Sequence, residues 1–306
     1  MSSPTAIPLR AWIDLILLAL VWGAIFLFIA IALREMTPFW TVFHRVFWAT
    51  LLLWLYVWWK GFAVPTGARI WFSFFVMGAL NNAIPFTLIT WGQTEIESGL
   101  ASILNSTTAF FGIMVAAIFL ADEKLTARRI AGVLIGVLGV AVIIGIDALT
   151  AFDPRSLGQI AVLGAALSYA FAGVWAKRRM QGLTPTVSAA GMLTGSSAIM
   201  GIMALAVEGP PDLSLTWTTI GALAYCATFG TVAAYLLYYR ILATAGSGNL
   251  MLVTIMMPPI SILLGAWVLE EALSTSTYVG CGLIALGLVV LDGRVFSLRS
   301  SRAKSA

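Results

Sequence analysis

Ten apolar runs, each about as long as a helix that crosses a bilayer, take up nearly the whole of this chain. They lie near residues 12–33, 39–59, 70–91, 99–120, 127–146, 158–178, 186–207, 217–239, 248–269 and 276–291. About 20 apolar residues in α-helix span a hydrocarbon core of ~30 Å, and a helix satisfies its backbone polar groups internally, as lipid demands. The expected fold is an all-α integral membrane protein with ten transmembrane helices. Composition agrees: 60% of the 306 residues are hydrophobic and 10% charged. A soluble domain carries about 25% charged residues to cover its core. No stretch between the runs is long enough for a soluble domain. Arg10 and Ala30-Ile31-Ala32 give the first run a passing likeness to a signal peptide. Its apolar length exceeds the about 7–15 residues of such a leader, so it reads as helix 1.

Loop charge orients the bundle, because Lys and Arg near span ends favour the cytoplasm. The N-terminus, the even-numbered loops and the C-terminus hold Arg10; Lys60 and Arg69; Lys124, Arg128 and Arg129; Lys177, Arg178 and Arg179; Arg240; and Arg294, Arg299, Arg302 and Lys304. The other side has Arg34 and Arg155, while Glu35, Glu95, Glu97, Asp147, Asp153, Glu208, Asp212, Glu270 and Glu271 gather there. Both termini are expected in the cytoplasm. The net charge of +4 then reflects topology, and no nucleic-acid partner is implied.

The sequence repeats itself at about 147–148 residues. Leu120-Ala-Asp-Glu123-Lys-Leu125-Thr126 matches Val268-Leu-Glu-Glu271-Ala-Leu273-Ser274, Gly132 and Gly139 align with Gly280 and Gly287, and Thr37-Pro38 aligns with Thr184-Pro185. Each half holds five spans, an odd number, so the second half enters the membrane inverted. Inverted repeats are characteristic of secondary transporters that work by alternating access. The other reading is duplication without alternating access, as in some channels.

Trp22-Gly23-Ala24-Ile25-Phe26 in helix 1, Pro38 followed by Arg45 in helix 2, and the Glu123 motif leading into a Gly-rich helix 5 resemble the EamA-type drug/metabolite transporters. The likeness covers nearly the whole chain and includes the second copy at Glu271. Within that superfamily the chain looks most like YddG-type exporters of aromatic and neutral amino acids. The resemblance implies export across a bacterial inner membrane through a central cavity lined mainly by helices 1, 3, 4, 6, 8 and 9. It divides the chain into a first repeat at 1–147, a periplasmic linker at 148–157, a second repeat at 158–292 and a cytoplasmic basic tail at 293–306. Met192 stands where Arg45 would recur, so the arginine has no counterpart.

Polar groups inside spans face the bundle interior or a wet cavity. Asn81 and Asn105 carry donors and acceptors that need outside partners, which suits an α-amino and an α-carboxylate group. The hydroxyls around them, Ser102, Ser106 and Thr107, read chiefly as helix–helix glue. Tyr225, Thr228, Val232, Tyr235 and Tyr239 form a row at helical spacing on helix 8, either packing or a binding face. With Trp22, Tyr169 and Trp175, the tyrosines Tyr235 and Tyr239 are candidate walls for a flat or cationic solute. Pro85, Pro258 and Pro259 are candidate hinges in helices 3 and 9. Arg45 lies close enough to the outer end to snorkel or to pair with a neighbouring helix.

His44, the single histidine, and Glu123 are candidates for proton coupling; His44 also reads as a packing residue. No carboxylate sits deep in a span, which favours facilitated export down a solute gradient. Walker and metal-ligand motifs are lacking, so neither a cofactor nor an ATPase subunit is expected. Cys226 and Cys281 lie in apolar spans and form no disulfide framework. Two further readings are phosphate-ester antiport, which needs clustered cations, and an intramembrane enzyme, which no catalytic arrangement supports.

Overall fold

The computed structural model describes residues 9–120, 126–144, 154–250 and 252–292. Among these residues every regular element is helical. In chain order they are α1 (Leu9–Ala32), α2 (Pro38–Trp59), α3 (Ala68–Gly92) and α4 (Ser98–Phe119), α5 (Ala127–Ile144), α6 (Pro154–Arg179) and α7 (Pro185–Glu208). Then come α8 (Trp217–Ala245), α9 (Leu252–Val268) and α10 (Thr275–Asp292). The helix of α8 continues to Leu250, well past the expected end near residue 239. Among the described residues α1 to α8 are long and apolar enough to cross a membrane, and Leu252–Val268 and Thr275–Leu291 are shorter apolar helices.

Exposed apolar side chains run along the outer faces. Trp217 and Trp267 are more than four-fifths exposed, and Leu134, Val137 and Leu138 give α5 an open apolar face. Water would drive surfaces of this extent into association, whereas lipid solvates them.

Inside the bundle α5 packs on α10, α2 on α7, and α4 on α9; α1 packs on α8 and α9, α6 on α3 and α4, α3 on α7, and α2 on α8. Exchanging each helix number in the first five with the one five places later reproduces the same set of neighbours. Small residues set the closest seam. A Cβ on Gly132 would lie 2.8 Å from the Gly287 carbonyl oxygen, and one on Gly139 would lie 2.8 Å from that of Gly280. The pairs run in opposite order along the two helices, so α5 and α10 are antiparallel.

Two groups of loops meet at opposite ends. At one end, carboxylates satisfy helix N-termini, whose first amides lack partners within the helix. Glu208 accepts from Phe39 N (3.1 Å) and Trp40 N (3.2 Å) at the start of α2. Glu271 accepts from Ser98 N (2.8 Å), Ser98 Oγ (2.8 Å) and Gly99 N (3.2 Å) at the start of α4. Glu35 accepts from Thr216 N and Oγ1 (both 2.9 Å) just before α8. Glu97 takes both guanidinium nitrogens of Arg155 at 3.0 Å. At the other end Arg240 of α8 pairs with buried Asp14 of α1, and Arg178 of α6 donates to the Phe119 carbonyl of α4.

Three local breaks interrupt α3, α8 and α4, the first beside Pro85, where the sequence predicts an interruption. Residues Ala79–Ala83 of α3 and Thr228–Ala233 of α8 form π-helical segments. In α4 the helix breaks at residues 106–107. There Ser106, Thr107 and Thr108 donate their hydroxyls to the carbonyls three residues back, at 2.6, 2.6 and 2.7 Å. Three successive hydroxyls compete with the backbone ladder and tighten it into a turn.

Candidate functional site

The π segment of α3 places Asn81 and Asn82 toward α7 and α8. Asn81 Nδ2 donates to the Tyr235 hydroxyl at 3.1 Å, and that hydroxyl donates to Asn82 Oδ1 at 2.8 Å. Asn82, fully buried, donates to Ser196 Oγ at 3.4 Å on α7. Asn81 Nδ2 also lies 3.9 Å from the Met192 sulfur. One tyrosine of α8 thus joins two asparagines of α3 against α7. Asn81, Tyr235, Tyr239, Tyr169 and Trp175 are all half-buried among the helices. The Tyr235 and Tyr239 rings stack with centroids 6.4 Å apart, and Trp175 Nε1 donates to the Ser73 carbonyl of α3 at 3.2 Å.

Arg45 approaches the same helices from α2. Its guanidinium lies 3.5 Å from the centroid of Phe86, and Nε donates to Thr231 Oγ1 at 3.1 Å in the π segment of α8. Arg45 is buried. Pairing with a neighbouring helix is what the structure shows, and it does not snorkel to the headgroups. Its flat, weakly hydrated cation finds an aromatic face and a hydroxyl closer than the interface.

The π segments free backbone carbonyls, and hydroxyls occupy them. Ser168 of α6 donates to the Leu80 carbonyl at 2.7 Å, and Thr231 donates to that of Cys226 at 2.8 Å. Pro85 sits directly after the first π segment, in the first turn of the α-helix that follows, where its missing amide costs no helical bond. Pro258 and Pro259 lie within α9, which stays helical from Leu252 to Val268 through both.

The row of side chains expected on α8 does not stay on one face. An i→i+5 turn adds a residue to the helix, which turns everything beyond it by roughly 100°. Tyr225, before the π segment, stacks on Phe28 of α1 at 3.8 Å and donates to the Val21 carbonyl at 3.2 Å. Tyr235, beyond it, reaches α3, and Tyr239 stacks on Tyr235.

Trp22 and Asn105 stand apart from the Asn81–Tyr235–Asn82 network. Trp22 lies 6.0 Å from Tyr238, and Asn105, at the break in α4, buries its Oδ1 without a hydrogen-bond partner. His44 sits among rings: Trp48 Nε1 donates to its Nδ1 at 3.2 Å, and Trp40 and Phe43 flank it. Its Nε2 is buried without a partner, and no hydrogen bond links it to Arg45 or Tyr235. Glu123 lies outside the described residues. Among the described residues no group of three or more His, Cys, Asp or Glu could hold a metal. The sequence reading undervalued Arg45 and Asn82 and missed both π segments; a charge in an apolar run, Pro85 and Gly230 were the available signals.

A sequence model of the EamA-like transporter family matches residues 10–145 and again residues 156–291. The chain belongs to the EamA-like transporter family. As an EamA-like transporter it is a multi-pass membrane protein that acts on a small-molecule substrate. Its relatives carry similar descriptions. It is 25% identical over 291 residues to an uncharacterized transporter of Archaeoglobus fulgidus, with 92% of this chain and 99% of the relative covered. It is 27% identical over 299 residues to a probable amino-acid metabolite efflux pump of Escherichia coli strain K12, with 94% and 95% covered. A crystal structure with 18% sequence identity superposes with a TM-score of 0.66 over 92% of this chain and 97% of the other, which supports the fold alone.

Proposed function

We propose that this EamA-like transporter exports aromatic and neutral amino acids and related small metabolites across a bacterial inner membrane. In this reading all ten helices span the bilayer, as two inverted five-helix halves with both termini in the cytoplasm. The observation that carries the substrate class is the Asn81–Tyr235–Asn82 network, set beside a buried arginine and the aromatic rings of Tyr169, Trp175 and Tyr239. Amides and hydroxyls there match the polar end of an amino acid, and the rings match an apolar or flat side chain. Asn105 and Trp22, which stand apart from the network here, join the site in this reading only when α4 and α1 shift during the transport cycle. The efflux-pump description of the E. coli relative points to the same class.

Alternating access is supported by the exchange symmetry of the helix packing and by the antiparallel α5–α10 seam. Pro85, Pro258 and Pro259, together with the two π segments, serve as the places where helices bend. Orientation is supported by the meeting of the acidic loops at one end and of basic residues at the other. Export runs down the solute gradient: His44 sits among aromatic rings, and among the described residues it has no hydrogen bond to the network and no carboxylate bonded to it. Phosphate-ester antiport is less well supported, since among the described residues Arg45 is the single cation placed beside the network.

The test is uptake of a labelled amino-acid panel into proteoliposomes, with and without an imposed pH gradient. Uptake of phenylalanine, tryptophan or leucine that ignores the gradient is the expected result. Tyr235→Phe, which leaves both asparagines without their shared hydroxyl, is expected to lower it about tenfold at unchanged folding. Gradient-dependent uptake would return proton coupling to His44 and Glu123. No uptake by folded protein would end the amino-acid reading.

A further inference from the structure

The fold buries two charged side chains among the described residues, Asp14 and Arg45. Asp14 is matched, since Arg240 donates to both of its carboxylate oxygens. Arg45 is not. A guanidinium offers five N–H donors, and only Nε is engaged, by Thr231. The two Nη groups form the fork that grips a carboxylate in a bidentate pair. They hydrogen-bond to no described residue, yet they are not among the sealed polar atoms, unlike the orphaned oxygens of Gln93, Asn105 and Gln159. Phe86 covers one face of the guanidinium plane, which leaves the edge of the fork as the direction of approach.

An unmatched cation in a membrane interior is costly, and such residues face a partner or a wet cavity. A hydroxyl and an aromatic face soften that cost without neutralising the charge. We infer that the Nη fork of Arg45 receives the carboxylate of the transported solute, so that the ion pair is complete only when solute is bound. The inference rests on the amino-acid reading and deepens it: the transporter selects solutes that bear a carboxylate, and Arg45 is the residue that reads it. The seat of Thr231 in the π segment aims the fork, because Thr231 fixes Nε from α8 while α2 carries the side chain.

The experiment is counterflow of labelled phenylalanine and of phenylalaninamide, which lacks the carboxylate, in proteoliposomes clamped at zero membrane potential. The wild type is expected to favour the acid by about tenfold or more, the scale of one charge-assisted contact. Arg45→Gln should cut counterflow of the acid far more than that of the amide, so that the preference for the acid disappears. Arg45→Lys should restore part of the preference. Equal counterflow of acid and amide by the wild type would overturn the inference and leave amino-acid export standing. A uniform fall of both solutes in a folded Arg45→Gln protein would overturn it too, since that is what a purely structural arginine predicts. If the wild type moves neither, the amino-acid reading fails and the inference falls with it. If the glutamine variant does not fold, Arg45→Lys decides: an acid preference equal to the wild type's would overturn the assignment to the Arg45 fork, and a reduced one is the expected result.

Discussion

Thr50 and Ser197 share a hydrogen bond of 2.9 Å across the α2–α7 seam, and they stand 147 residues apart, the spacing of the sequence repeat. Each is thus the other's counterpart in the opposite half. If the two halves exchange conformations during transport, a contact between counterparts maps onto itself and survives in both states. Contacts such as that of α1 with α9 map onto a different pair, α6 with α4, and are free to change. A disulfide between Thr50→Cys and Ser197→Cys, in a background lacking Cys226 and Cys281, should therefore leave transport largely intact. Arrest of transport on oxidation, reversed by reductant, would show that this seam moves and that symmetric exchange is the wrong description.

The α5–α10 seam makes a prediction about stability. A methyl on Gly280 would lie 2.6 Å from the Gly139 carbonyl oxygen, whereas one on Gly282 would meet nothing within 4 Å. Gly280→Leu should cost about 1–3 kcal/mol by overpacking and lower the melting temperature in detergent. Gly282→Ala should raise it slightly, because alanine favours helix over glycine by about 0.5–1 kcal/mol. Equal responses of the two positions in a thermal-shift measurement would refute the close packing.

The start of α4 depends on a residue far away in sequence. Glu270 adopts a left-handed backbone (φ 58°), which lets Glu271 N donate back to the Gly265 carbonyl at 3.1 Å and aims its carboxylate at Ser98 and Gly99. Glu271→Ala removes three acceptor contacts from a helix N-terminus and should cost about 1–3 kcal/mol. Glu270→Gly should be neutral or stabilising by up to about 1 kcal/mol, since only glycine adopts that conformation freely. Chemical or thermal unfolding of both variants checks the pair.

Acid should loosen the contact before α8. The Thr216 backbone amide, then the Thr219 and Thr216 hydroxyls, hold the Glu35 carboxyl below its ordinary value of 4.5. A carboxyl whose folded value is depressed contributes stability that is present above the unfolded value and lost as pH falls through the folded one. The stability difference between wild type and Glu35→Gln should hold steady above about pH 5 and shrink below pH 4.5. A difference that persists unchanged into strong acid would show that these bonds do not favour the ionised form.

Much of the bundle was legible because membrane spans announce themselves by length and apolarity. The start of α2 at Pro38 and the span of α10 fell within a residue or so of expectation. Gly132, Gly139, Gly280 and Gly287 were visible as a repeat; that they grip one another crosswise needed the antiparallel seam. Asn81, Tyr235 and Tyr239 were legible as polar groups that lipid would reject. Asn82 was harder to value, since two adjacent residues on a regular helix point about 100° apart and only the π segment lets both reach one hydroxyl. Arg45 was read against an unbroken helix and an interfacial position, whereas a partner from α8, distant in sequence, decides its place. Trp22 and Asn105 share the aromaticity and polarity of Tyr235 and Asn81, and periodicity alone does not separate the two groups.

The π segments of α3 and α8 bear on ancestry as well as geometry. Each is in effect a helix with one residue inserted, and the two lie at nearly the displacement that separates the sequence repeats. Independent insertions at corresponding turns of two helices are a less economical account than one insertion made before the gene doubled. On that account the bulge is as old as the repeat itself, with one copy in each of the two matched segments. The bulge is present in both halves, whereas the arginine is present in one, with Met192 at the corresponding position. The two halves of this chain thus preserve a common scaffold and differ in the chemistry that each contributes to it.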